Sequence, residues 1–132
     1  MYPSRHFILS LILAILLFPI YQYNVVLIFL SGFLIDGDHY LWYILKFKNF
    51  SFRKAYWYHV EHKGKSKLHI AHTIEFWILL AILSFYFRFF YFILIGVIFH
   101  NILDFIHIYI MKFPKNRPIS ITGWLIRHSK SF

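Results

Sequence analysis

The chain has 132 residues, of which 60% are hydrophobic and only 14% are charged, and its mean hydropathy is +0.60. Soluble domains contain about 45–50% apolar and about 25% charged residues, so this composition argues against an ordinary soluble domain and indicates an integral membrane protein. The net charge is +9, and the absence of cysteine excludes disulfide bonds and thiolate metal sites.

Four apolar segments predict an all-α fold, an integral membrane bundle of about four transmembrane helices. They cover residues 7–20, 25–47, 68–87 and 89–111. The second is interrupted after Ile35 by three polar side chains, and Gly37 permits a local break there. A loop rich in Lys, Arg and aromatic residues joins the second segment to the third, and a basic stretch follows the fourth. We therefore expect a four-helix transmembrane domain over residues 1–111 and a basic interfacial tail over residues 112–132.

The basic residues predict the orientation of this bundle. Of the 14 Lys and Arg residues, all but Arg88 lie before the first segment, in the loop between the second and third, or in the tail. Cytoplasmic connections carry the excess of Lys and Arg, so both termini and the basic loop are predicted to be cytoplasmic. Because these residues lie between apolar segments, we expect membrane lipid as the partner and no nucleic acid.

Titratable side chains recur inside the apolar segments, where they are costly unless they meet partners, a metal or water. On the fourth segment His100, Asp104 and His107 are spaced i, i+4 and i+7, which places them on one face of a helix. The other segments contribute groups that the predicted topology brings to a similar depth. They are His6, Asp36, Asp38, His39, His69, His72 and Glu75.

Asp and neutral His suit a divalent ion of zinc, manganese or iron. The predicted ligands are Asp36, Asp38, His39, His72, His100 and Asp104, with His6, His69 and His107 as second choices. A bound metal would lower the pKa of its water toward ~7, and an uncoordinated Asp38 or Glu75 would act as general base. The alternative is mutual ion pairing within the bundle. The remaining histidines, His59, His62 and His128, are interpreted as interfacial.

These motifs carry a resemblance to a known family. The run Leu34-Ile35-Asp36-Gly37-Asp38-His39 resembles the Leu-Pro-Asp-x-Asp-His signature of the membrane-bound metal-dependent hydrolases, which include LexA-regulated inner-membrane hydrolases of bacteria. His72 matches the His of a Thr-His-Ser segment in that family. Gly96, His100 and Asp104 match a Gly-x-x-x-His-x-x-x-Asp helix, and His6 matches an early His. Ile35 replaces the family Pro, and His107 is additional.

The resemblance implies a metal-dependent hydrolase, and we expect a phosphoester or ester of a lipid or lipid-linked substrate. One alternative is a di-iron membrane oxygenase of the desaturase or hydroxylase kind, whose larger set of His boxes includes adjacent His pairs that this chain lacks. Another is a non-enzymatic membrane protein, either a small transporter or a subunit with a structural His/Asp network. A transport path would need polar groups at both membrane faces, and the other halves of the segments carry few.

Overall fold

The computed structural model describes residues 3–61, 68–111 and 119–129, and within these ranges it contains helices and no strand. The all-α prediction is therefore confirmed for the described part of the chain. Residues 62–67, which include His62, and residues 112–118 of the predicted tail lie outside it. The helices are α1 (Pro3–Tyr21), α2 (Val25–Leu34), α3 (Gly37–Phe47), α4 (Phe52–Glu61), α5 (Ile74–Tyr86), α6 (Arg88–Met111) and α7 (Ile121–Ser129), with 3-10 turns at Gln22–Asn24 and Ile70–His72.

Two stretches of the described chain, Pro3–Leu34 and Arg88–Ile110, are long and apolar enough to cross a membrane. In their most apolar windows only 17% and 28% of the residues are buried, unlike the core helix of a soluble protein. The first stretch is not one straight helix. At the turn Gln22–Asn24 the backbone of Gln22 has φ 49°, and α1 and α2 pack against each other on either side of it.

The prediction of four membrane-spanning helices is not supported. The third predicted segment forms α5, which has 13 residues and extends about 20 Å, less than the ~30 Å hydrocarbon layer. The second predicted segment forms two helices of 10 and 11 residues, because the chain turns at Ile35 and Asp36. The break predicted next to Gly37 is thus present, and it divides a segment that would otherwise be long enough to span.

The described residues divide into two compact units. The first contains α1, α2, α6 and the part of α5 from Trp77 onward. The second contains α3, α4, the turn at residues 70–72 and α7. The chain passes between the units after Ile35 and after Phe76, so each unit is built from segments that are distant in sequence.

Glycine permits close helix packing in the first unit. A Cβ atom on Gly96 of α6 would lie 2.3 Å from the carbonyl oxygen of Ile28 and 2.9 Å from the amide nitrogen of Gly32, both on α2. A Cβ on Gly32 would lie 2.7 Å from Oγ of Ser10 on α1. Helices α2 and α6 therefore approach to backbone contact, and α1 contacts α2 through a small side chain, a packing that is typical of helices in membranes.

Candidate metal centre

Five of the predicted site residues come together in the second unit, and we call them the loop cluster. They are Asp36, Asp38, His39, His69 and His72. The first three surround the start of α3, where the amide of His39 donates to the carbonyl of Asp36 over 3.1 Å. Asp38 lies in the first turn of this helix, where the positive end of the helix dipole stabilises a carboxylate.

The two remaining members come from a short 3-10 turn. The amide of His72 donates to the carbonyl of His69 over 3.1 Å, and Oγ1 of the fully buried Thr73 donates to the carbonyl of Ile70 over 2.7 Å. His69 precedes the turn with an extended backbone and His72 ends it. The centroids of their rings lie 6.1 Å apart, and both residues are buried.

Hydrogen bonds and close contacts connect the members of the loop cluster. Nδ1 of His39 lies 2.6 Å from Oδ1 of Asp38, and Nδ1 of His72 lies 3.3 Å from Oδ2 of the same carboxylate. The second carboxylate, Asp36, lies 3.7 Å from Nδ1 of His39 and 3.9 Å from Nε2 of His72. The rings of His39 and His69 stack with centroids 3.7 Å apart and an interplanar angle of 8°.

The charge of Asp38 follows from these contacts, and the residue lies outside the two stretches that are long enough to span a membrane. Burial raises the pKa of Asp38, but the hydrogen bonds from His39 and His72 outweigh burial and hold this pKa below its usual range. The carboxylate is therefore ionised at neutral pH and only accepts hydrogen bonds. Both histidines must then donate their Nδ1–H groups to it.

The donor set fits a divalent metal ion. Asp38, His39 and His72 each offer a ligand atom, and these atoms lie within 4.8 Å of one another. An ionised carboxylate with neutral imidazoles is a common set for zinc, manganese and iron. Metal-ligating histidines usually donate their other ring N–H to a carboxylate or a carbonyl, as His39 and His72 do here. Asp38 can thus serve as a ligand or as the group that orients both rings.

His59 is a member of this neighbourhood that the sequence did not indicate. Its Nε2 lies 2.8 Å from the carbonyl oxygen of His39, so Nε2–H is the donor, and the two rings are 5.3 Å apart. His59 lies on α4, which packs against α3. The only signal in the sequence is its place on an amphipathic segment rich in aromatic residues, which is equally typical of an interfacial side chain.

A second group of predicted residues lies in the first unit, and we call it the helix cluster: His6, His100 and Asp104. All three residues are buried, with exposed fractions of 0%, 0% and 3%. Nε2 of His6 lies 3.1 Å from Oδ1 of Asp104, and the His6 ring stacks on that of His100 with centroids 3.9 Å apart. The predicted spacing on one face of α6 is therefore confirmed for His100 and Asp104, with Nε2 of His100 3.9 Å from Oδ2 of Asp104.

The tautomer of His100 is fixed by the backbone of α2. Nδ1 of His100 lies 2.9 Å from the carbonyl oxygen of Gly32, and a carbonyl only accepts, so the proton is on Nδ1. A neutral His100 therefore presents the lone pair of Nε2 toward the side of Asp104. Such a backbone hydrogen bond is a common way to orient a metal-ligating histidine.

The other predicted residues have different surroundings. The carboxylate of Glu75, which is predicted as a general base, lies at the N-terminus of α7. It accepts hydrogen bonds from two hydroxyls, Oγ of Ser120 at 2.6 Å and Oγ1 of Thr122 at 2.9 Å. It also accepts from two amides, that of Ile121 at 3.1 Å and that of Thr122 at 3.2 Å. The Ser120 hydrogen bond, assisted by the two amides and opposed by desolvation, lowers the pKa of Glu75 to about 2. This geometry caps a helix and does not favour a general base.

His107 is half-buried on α6, three residues after Asp104, and belongs to neither cluster as defined.

Comparisons of this chain with protein-family models, with curated proteins and with solved structures find no match. The resemblance to the membrane-bound metal-dependent hydrolases therefore stays a prediction from the motifs. What the structure adds is the convergence of those motifs, which come from separate helices and turns, into the loop cluster and the helix cluster.

Proposed function

We propose that this protein is a membrane-embedded, metal-dependent hydrolase that cleaves a phosphoester or ester bond of a lipid or lipid-linked substrate. The observation that carries the proposal is the convergence of Asp38, His39 and His72, whose ligand atoms lie within 4.8 Å of one another. The motif resemblance of residues 34–39 supports the hydrolase class. The apolar, mostly exposed stretches Pro3–Leu34 and Arg88–Ile110 support a membrane location and hence a lipid substrate.

The residues of the chain have distinct tasks in this proposal. Asp38, His39 and His72 would hold the ion, which when bound supplies a water of lowered pKa and polarises the oxygen of the scissile bond. Asp38 keeps its negative charge and holds both imidazoles beside its carboxylate, so that the three ligand atoms lie together. His59 fixes the backbone of His39 through its carbonyl. Asp36 lies close to both rings and is the best-placed carboxylate of the loop cluster to accept a proton.

The decisive experiment is elemental analysis of the full chain purified in detergent. We expect near-stoichiometric zinc, manganese or iron in the parent protein and loss of this metal in Asp38→Asn, which keeps the size of the side chain and removes its charge. The matched control is Glu61→Gln, the same chemical change at an exposed carboxylate on α4, and it should retain the metal. A parent protein without metal after purification and after metal addition removes the hydrolase proposal and leaves an ion-paired structural network.

We also propose that both termini face the cytoplasm. Seven Lys and Arg residues lie between positions 46 and 67 and five lie from position 112 onward, and cytoplasmic segments carry the excess of these residues. These 132 residues contain no cysteine, so a single introduced thiol reports its own position without background. Lys130→Cys should resist a membrane-impermeant thiol reagent in intact cells and react after the membrane is opened. Labelling in intact cells would place the C-terminus outside.

A further inference from the structure

A pocket of about 560 Å³ lies between α3 and α4 in the second unit, and its lining is distinct from the loop cluster. One wall is the side chain of Tyr43 on α3. The other wall is a face of α4, whose residues recur at the i, i+4 and i+7 spacing of one helix surface. The lining residues are Tyr43, Arg53, Lys54, Trp57, Tyr58 and Glu61.

The walls of this pocket are fixed by the local chain. Lys48 ends α3 in the left-handed region with φ 51°, and its amide donates to the carbonyl of Ile44 over 2.8 Å, so the chain reverses sharply. Ser51 then caps α4, since its carbonyl accepts from the amide of Ala55 over 3.0 Å. The hydroxyl of Tyr40 donates to the carbonyl of Phe50 over 2.6 Å and ties the connection to α3. These contacts hold α3 and α4 together where they line the pocket.

Aromatic contacts hold the two helices together beneath the pocket. The ring of Tyr58 lies 5.7 Å from that of Tyr43 and 4.9 Å from that of Phe47, and it stacks on Trp42 at 6.0 Å. Trp57 is half-exposed beside it. Trp and Tyr favour the headgroup level of a membrane, where their rings meet apolar chains and their polar atoms meet water.

The charge of the pocket is concentrated at one end. Arg53 and Lys54 lie in the first turn of α4, which contains no acidic residue. Cations there are unfavourable for the helix, because the amide groups at a helix N-terminus already carry partial positive charge. In the described part of the chain, neither side chain forms an ion pair with a carboxylate; the pocket's own acid, Glu61, is at the opposite end of α4. An anion bound at this end would offset the charges of Arg53 and Lys54 and the partial positive charge of the helix N-terminus.

We propose that this pocket binds the phosphate of an anionic phospholipid headgroup. The Arg53 guanidinium can bind two phosphate oxygens at once, and the Lys54 ammonium adds a second positive charge. Trp57 and Tyr43 then contact the glycerol and the first carbons of the acyl chains. A lipid rather than a free anion is favoured by the aromatic walls, which a free anion would leave uncovered. The proposal does not depend on metal binding or catalysis at the loop cluster.

The test is calorimetric titration of the full chain, purified in a maltoside detergent, with three probes: dihexanoyl phosphatidic acid, dihexanoyl phosphatidylcholine and inorganic phosphate. We expect the phosphatidic acid to bind more tightly than the other two. Arg53→Gln combined with Lys54→Gln should weaken its binding about tenfold or more, which corresponds to the loss of one or two charge-assisted hydrogen bonds. The charge-conserving pair Arg53→Lys with Lys54→Arg should retain most of the binding and shows that the site remains folded.

A matched control separates a site from a general positive surface. Lys46→Gln combined with Lys48→Asn removes the same charge from the neighbouring end of α3, and Asn tolerates the left-handed backbone at position 48. Binding in this control should change less than about twofold. Equal losses in the two double variants, equal affinity for inorganic phosphate, or no binding of the phosphatidic acid would each overturn the proposal.

Discussion

Replacing Gly96 by alanine tests whether close packing of α2 and α6 positions the helix cluster. The added Cβ would lie 2.0 Å from Oγ of Ser31 and 2.3 Å from the carbonyl oxygen of Ile28. The Ser31 side chain can rotate, but the carbonyl of Ile28 belongs to the backbone of α2. A carbon and an oxygen need about 3.5 Å, so the two helices must separate by about 1 Å.

The cost of Gly96→Ala can be estimated from its parts. Forcing extra volume into close packing costs about 1–3 kcal/mol. Separating the helices also lengthens the bond between Nδ1 of His100 and the carbonyl of Gly32, now 2.9 Å, and losing such a bond costs about 0.5–1.5 kcal/mol. Alanine regains about 1 kcal/mol through its better helix propensity. The net expectation is a destabilisation of about 1–3 kcal/mol.

Thermal unfolding in detergent, followed by circular dichroism, measures this effect. The matched control is Gly123→Ala on α7, where the nearest atom to the new Cβ is Cβ of Ser120 at an ordinary 3.7 Å. The control should be neutral or stabilising, whereas Gly96→Ala should lower the midpoint by several degrees. Equal midpoints for Gly96→Ala and the parent would refute the inference that backbone contact at Gly96 sets the helix separation.

Three further predictions follow from single contacts. Nitrogen-15 NMR of histidine-labelled protein should show His100 protonated on Nδ1 and His59 on Nε2, and the opposite tautomer at either ring would contradict the carbonyl contacts assigned to it. Folding depresses the pKa of Glu75 from 4.5 to about 2, so its contribution to the docking of α7 is complete above pH 4.5 and is lost as the pH falls to about 2. Glu75→Gln should therefore speed amide exchange in Ile121–Ser129 at neutral pH, with Glu61→Gln as the unaffected control. Lys48→Gly should raise the free energy of unfolding by about 0.5–1 kcal/mol because φ is 51° there, and a loss of stability would show that the Lys48 side chain contributes more than its backbone strain costs.

The sequence predicted local features well where one residue type determines the backbone. The break beside Gly37 and the shared face of His100 and Asp104 are both present. A glycine beside polar residues and an i, i+4 spacing are local properties, so they can be recognised in a single chain. Nδ1 of His72 lies 3.3 Å from Oδ2 of Asp38, so two of the sequence motifs are in contact, and their assignment as metal ligands stays a prediction.

Other features depend on contacts that no local pattern contains. Hydropathy predicts a span over residues 68–87, but the 3-10 turn at Ile70–His72 precedes the helix and limits it to 13 residues. Glu75 was interpreted as a catalytic group because it lies in an apolar run, whereas its partners are some 45 residues later in the chain. His59 was missed for the same reason, since its acceptor is a backbone carbonyl 20 residues away.

Ser10 influences whether position 32 can accept a residue larger than glycine. Its hydroxyl is buried, and in the described part of the chain it has no hydrogen-bond partner, which costs about 1–3 kcal/mol. The same hydroxyl is the closest atom to a Cβ on Gly32, at 2.7 Å, followed by Cβ of Ser10 at 3.3 Å and the carbonyl oxygen of Gly96 at 3.4 Å. Ser10→Ala removes this contact and leaves Cβ of residue 10 at 3.3 Å, so alanine at position 32 should be less destabilising after Ser10→Ala than in the parent chain. Position 96 has no such route, since a backbone carbonyl obstructs it, and natural variation should retain glycine there longest.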